Sequence, residues 1–135
     1  MQNKLHILLK NPSNFRGVFC FCLFFISLAI FAQPQLKFAD SKKSFGFVKK
    51  GEVVSIEFDF INSGDEPLII TNAIVECSCT TVDLPNQPVM PKEMAKITIH
   101  FDTKSVYDRQ GRIVEIISNA KIPKQKIRFK GVVLK

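Results

Sequence analysis

The chain has 135 residues, four cysteines, thirteen phenylalanines and no tryptophan, and carries a formal charge of +7. With an N-terminal leader of 32 residues set aside, 103 remain, enough for one core and too few for two domains. Those 103 hold sixteen Lys and Arg against twelve acids, a charge of +4, which suits the solubility of a small domain and is too small a surplus to argue for nucleic acid.

Residues 1–17 include Lys4, Lys10 and Arg16 and no acid, and Val18 to Ala32 is apolar apart from Ser27, Cys20 and Cys22. A basic start followed by a short apolar run is the pattern of a secretory signal. The apolar run is shorter than the ~20 residues that span a bilayer as a helix, and Gln33-Pro34-Gln35 follows at once. Cleavage is expected after Ala32, with Ser27-Leu28-Ala29 as a second small-x-small site and retention as an anchor as the alternative. Neither leader cysteine follows the small residues that lipoprotein processing prefers. Residues 1–32 are therefore read as a signal peptide and 33–135 as the working domain, exported to the periplasm or beyond the cell.

Past residue 44 apolar and polar residues alternate with the period of a half-buried strand. Val54, Ile56, Phe58 and Phe60 point one way, while Ser55, Glu57 and Asp59 point the other. The turn formers Asn62-Ser63-Gly64-Asp65-Glu66-Pro67 follow, then a strand from Leu68 to Glu76. Further strands are predicted at Ile97 to Phe101, Gly111 to Ser118 and Lys126 to Val133, with shorter ones at Leu36 to Phe38, Phe45 to Val48 and Cys79 to Val82. No stretch shows a sustained helical period. The pattern predicts an all-β fold, an immunoglobulin-like antiparallel sandwich of about seven or eight strands, with Phe, Ile and Val as its core.

Several short motifs sit along these strands. They are Phe45-Gly46-Phe47-Val48-Lys49-Lys50-Gly51-Glu52, then Phe58-x-Phe60-x-Asn62-x-Gly64-x-x-Pro67-Leu68-x-Ile70, and Cys77-Ser78-Cys79-Thr80. Pro88-x-x-Pro91, Phe101-Asp102-Thr103, Gly111-x-Ile113, Ser118-Asn119 and Gly131-x-Val133 follow in order. Through them the chain resembles the bacterial domain-of-unknown-function family 1573. The resemblance implies a sandwich of the Hydin-type and PapD-like shape, and no activity. It also implies structural roles for Asn62, Gly64, Pro67, Thr80, Pro91, Gly111, Asn119 and Gly131. Two departures stand out: Ser78 where the family usually has Gly between the cysteines, and Lys92 where Gly tends to follow Pro91. Ser78 is expected to be more extended than a glycine there, and the Lys92 turn need not keep its type.

Cys77 and Cys79 are the cysteines that outlast the leader. In a regular strand residues i and i+2 share a face, with Cβ atoms ~6 to 7 Å apart, whereas a disulfide wants ~3.8 Å. An internal bond therefore needs a bend between them. Two thiolates also suit a soft ion such as Cu(I), although two ligands are too few for structural zinc. A structural disulfide, metal capture, disulfide exchange and a bridge between chains all remain open. His6 leaves with the leader, and His100 lies on the polar face of its strand.

Lys126, Arg128 and Lys130 make a basic row along the last strand, preceded by Lys121 and Lys124. The row reads either as a grip for acidic glycan, lipid head groups or carboxylates, or as a charged edge that blocks sheet-to-sheet aggregation; the second is preferred. Asp102 and Asp108 flank a loop with Thr103, Ser105 and Tyr107, and read as turn residues. No phosphate loop, nucleophile elbow, zinc-protease helix or calcium loop is present. The expectation is a non-enzymatic module without cofactor, working through surface or sheet-edge contact with a protein or envelope partner in adhesion, assembly or envelope support. A small thiol protein using Cys77 and Cys79 for Cu(I) or disulfide exchange is the alternative.

Overall fold

A computed structural model describes residues 32–135; the predicted leader, apart from Ala32, lies outside them. Eight strands follow one another: β1 (Leu36–Phe38), β2 (Lys42–Lys49), β3 (Val53–Asn62), β4 (Ile70–Val75), β5 (Thr80–Asp83), β6 (Met94–Asp102), β7 (Asp108–Ser118) and β8 (Lys124–Leu134). They form two four-stranded sheets, in the orders β1-β3-β6-β5 and β2-β8-β7-β4. No helix among the described residues is long and apolar enough to cross a membrane.

Alternation decides which side chains meet. Ile56, Phe58 and Phe60 of β3 and Ile97, Ile99 and Phe101 of β6 face Val114 and Ile116 of β7 and Ile127, Phe129 and Val133 of β8 across the sandwich. Burying each such side chain favours folding by about 1.5–3 kcal/mol, so these residues, all within the described unit, give it a complete core. Phe101 and Phe129 meet edge to face with centroids 5.3 Å apart, a preferred aromatic geometry. On the outer face of the first sheet Lys96 donates to Glu57 at 2.7 Å across β6 and β3. This hydrogen bond to the Lys96 ammonium holds the Glu57 carboxyl below its ordinary range.

Pairing is antiparallel except at one place. After β1 the chain crosses to the second sheet, where β2 runs parallel to β8. A bulge between Ser44 and Gly46 lets Phe45 turn inward, and Gly46 takes φ +73° beside it. The Phe45 ring lies where a side chain on Gly131 would stand, and it touches Phe101 and Phe129 at 5.7 and 6.3 Å between centroids. Gly131 is therefore required by close packing.

The order β2-β8-β7-β4 puts β8 inside its sheet, hydrogen-bonded on both sides. Lys126, Arg128 and Lys130 consequently do not guard an edge, as the sequence had suggested. They stand in the middle of an outer sheet face.

Candidate functional site

A sheet edge is a row of unpaired backbone groups, and natural proteins blunt it with shortness, charge, bulges or covering groups. Three of the four edges here are blunted. β1 has three residues, and Gln125 Nε2 donates to its Leu36 carbonyl at 2.8 Å. β5 has four and ends in Asp83. β2 is longer but carries Lys42, Lys43 and Lys49 and the bulge.

β4 differs. Its six residues, Ile-Thr-Asn-Ala-Ile-Val, carry no charge and no proline, and four of them are β-branched, the side chains that suit a pleated surface. Ile69 and Ile74 expose 46% and 49% of their surface. A register shift between Ile70 and Asn72 frees Thr71, whose hydroxyl turns back to the Ile117 carbonyl at 3.2 Å. The Asn72 side-chain oxygen accepts from the Ala73 N–H at 2.8 Å. That amide points away from β7, and a small polar cap over it is easily exchanged for another acceptor.

The start of β4 is fixed by Asn119. Its Oδ1 accepts from Ile69 N at 2.8 Å and its Nδ2 donates to the Pro67 carbonyl at 3.1 Å. Asn62 does a similar task from within the core: fully buried, it donates to the carbonyls of Glu66 and Val89 and accepts from the amides of Gln35 and Gly64. Gly64 lies so close to the backbone of residues 33–35 that any side chain there would overlap it.

The end of β4 is the cysteine turn. Cys77 and Cys79 are joined by a disulfide with Cα atoms 5.2 Å apart. The bend comes from Thr80, whose N–H donates to the Cys77 carbonyl at 3.2 Å, while its buried hydroxyl lies 3.5 Å from Cys77 Sγ. Ser78 sits within this turn and does so without a positive φ. Glu76 Oε2 accepts from Ile113 N of β7 and the Cys79 carbonyl accepts from Asp102 N of β6, so the turn is pinned to both sheets. No group of three or more metal-binding side chains occurs among the described residues.

The remaining sequence candidates separate from this site. Pro91 and Lys92 are the central residues of a turn closed by Glu93 N donating to the Met90 carbonyl at 3.0 Å. Lys92 adopts φ +66°, so it takes the left-handed conformation a glycine would supply, as position i+2 of a type II turn requires. Gly111 lies on the outer face beside Lys130, with no atom near its missing side chain. Asp102, the last residue of β6, caps the Lys104 amide at 2.9 Å, and Asp108, the first of β7, takes φ +65°; the two bound the loop between the strands. His100 occupies the outer face of the first sheet, where its Nδ1 lies 3.0 Å from Ser55 Oγ and its Nε2 2.8 Å from Asp83 Oδ2. This row leaves no local sign in the sequence, because only the register of β3, β6 and β5 brings the three together. It crosses an open sheet face, with the Asp83 side chain 73% exposed, and ties three strands.

Solved structures share the fold at low identity. A protein of unknown function from Porphyromonas gingivalis W83 superposes with TM-score 0.67 and 17% identity, over 78% of this chain and 50% of its own. The PapD-like domain of human CEP192 gives 0.59 and 10%, over 77% of this chain and 88% of that one. The E. coli chaperone DraB gives 0.52 and 9%, over 74% and 54%. The chain thus spans about half the length of the bacterial proteins among these. A comparison with curated proteins found no match. A family model covers residues 36–133, nearly the whole sandwich, and by that match the chain belongs to the DUF1573 family of proteins of unknown function.

Proposed function

We propose that this is an exported, non-catalytic binding domain, an adhesion, assembly or envelope accessory module, and that the β4 edge accepts an extended segment of a partner protein. One observation carries the reading: β4 is the long edge without charge, with half-exposed Ile74 within it and Ile69 just before it. A partner strand would take the outward amides of Ala73 and Val75 in main-chain hydrogen bonds, and its alternate side chains would cover Ile74. The likeness in shape to the E. coli chaperone DraB supports a protein partner.

The test uses a photo-crosslinking residue at position 74 and, as control, at Thr98 on the opposite sheet. A discrete adduct is expected from position 74 alone. Ala73→Pro, tolerated at an edge amide facing outward, is expected to weaken complex formation at least tenfold. Equal adducts from both positions, or binding indifferent to Ala73→Pro, would remove the edge from the account.

A second reading, disulfide exchange with a partner dithiol, is favoured by the Cys77–Cys79 bond itself, in which Cys77 is partly exposed while Cys79 packs against the core. In it the Cys77–Cys79 bond is reduced as the partner is oxidised.

A further inference from the structure

The two outer faces of the sandwich differ in charge. Outward from the first sheet stand Glu57, Asp59, Asp83 and Asp102, against Lys37 and Lys96. Outward from the second stand Lys42, Lys49, Arg109, Lys126, Arg128 and Lys130, against Glu115. Lys126 lies 4.0 Å from Glu115, but Lys42, Arg128 and Lys130 have no ion-pair partner among the described residues.

Register explains how these cations gather. Lys42 lies opposite Arg128 and Ser44 opposite Lys130, and the missing side chain at Gly111 opens the surface beside Lys130. The result is a hollow of about 440 Å³ lined by Lys42, Lys43, Ser44, Arg128 and Lys130. Of these, Lys43 leans to Asp59 at 3.8 Å. A second hollow shares Ser44 and Lys130 with it and is rimmed by Phe47. Beyond the bulge the face turns apolar: Phe47 is 75% exposed opposite Val132, and Leu134 is 45% exposed opposite Lys49. Tyr107 stands beside them with the ammoniums of Lys50 and Lys135 over its ring.

We propose that this face of the second sheet docks on an anionic lipid membrane. Lys42, Arg128 and Lys130 would hold head-group phosphate, with Arg128 able to present two parallel donors, while Phe47 and Leu134 enter the head-group boundary. Exposed aromatic and aliphatic side chains ringed by lysines match a lipid surface, where apolar burial and attraction to anionic lipid act together. An acidic polymer would use the cations and leave Phe47 in water. The acidic first sheet faces away in this pose, so charge also sets the orientation. This surface is separate from the β4 edge and does not depend on it.

Residues 33–135 contain the whole described core, and no buried side-chain polar atom in it lacks a partner, so the sandwich is assayed without the apolar leader. Sedimentation is measured with phosphatidylcholine vesicles and with vesicles of phosphatidylcholine and phosphatidylglycerol. Binding to the anionic vesicles alone, falling with added salt, is expected. Replacing Lys42, Arg128 and Lys130 by Gln is expected to weaken it about 100-fold, at about fivefold per cation. Phe47→Ser, at an exposed position that leaves the core intact, is expected to weaken it about tenfold and leave its salt dependence unchanged. Binding that ignores these substitutions overturns the proposal, as does failure to bind anionic vesicles. Retention on poly-glutamate without vesicle binding assigns the face to an acidic protein and overturns it equally.

Discussion

Asn62 holds four backbone groups from three separate segments with one carboxamide, and no water reaches it. Replacing it by Ala leaves the Glu66 carbonyl and the Gln35 and Gly64 amides without a partner, each costing about 1–3 kcal/mol, while the Val89 carbonyl keeps the Leu68 amide. Asn62→Ala is expected to destabilise the sandwich by about 3–5 kcal/mol, read from the urea midpoint. Asn62→Asp, which keeps the acceptors but sets a buried carboxylate oxygen against the Glu66 and Val89 carbonyls, is expected to cost at least as much; a smaller loss than from Ala would mean that the amides matter more than the carbonyls. The sequence showed Asn62 as a turn former because Asn, Gly and Pro cluster there, but its reach to Val89 and Gln35 is long-range and leaves no local mark. Lys92 is the opposite case: a residue that argued against a glycine-type turn takes that conformation, because Pro91 and the Met90–Glu93 hydrogen bond dictate the backbone.

At the scale of elements, periodicity located every strand, since two-residue alternation is a local property. It was blind to strand direction and neighbours. Nothing in Phe45 to Val48 tells whether its partner runs parallel, and nothing in Lys126-x-Arg128-x-Lys130 tells whether that strand is inside a sheet or on its edge. The β4 edge became visible as a site only once the strand order was known. The cysteine spacing did state what geometry a disulfide needs, and the Thr80 turn provides it. A bond closing so short a loop removes little freedom from the unfolded chain, about 1–2 kcal/mol in the loop-entropy view. The double substitution Cys77→Ser, Cys79→Ser is therefore expected to leave the fold intact by far-ultraviolet circular dichroism and lower stability by no more than about 2 kcal/mol. Loss of folding would show that the turn organises the sheets it is pinned to.

For the molecule as a whole, a single core shared by both sheets predicts one cooperative event. Residues 33–135 alone are expected to unfold in one transition, with coincident midpoints by circular dichroism and by the fluorescence of Tyr107; separated midpoints would mean that the β2 crossing or the Tyr107 end melts by itself. The fold was legible because each strand writes its own pattern, whereas the two-faced charge needed the sheet order before it could be seen. The parallel run of β2 beside β8 has a mechanical corollary. A tension entering at Lys42 and leaving at Leu134 pulls these neighbours in opposite directions along their length, loading their rungs together in shear instead of peeling them one by one. Such a lap joint between the first long ribbon and the last suits a body that must hold its shape while tugged from both ends.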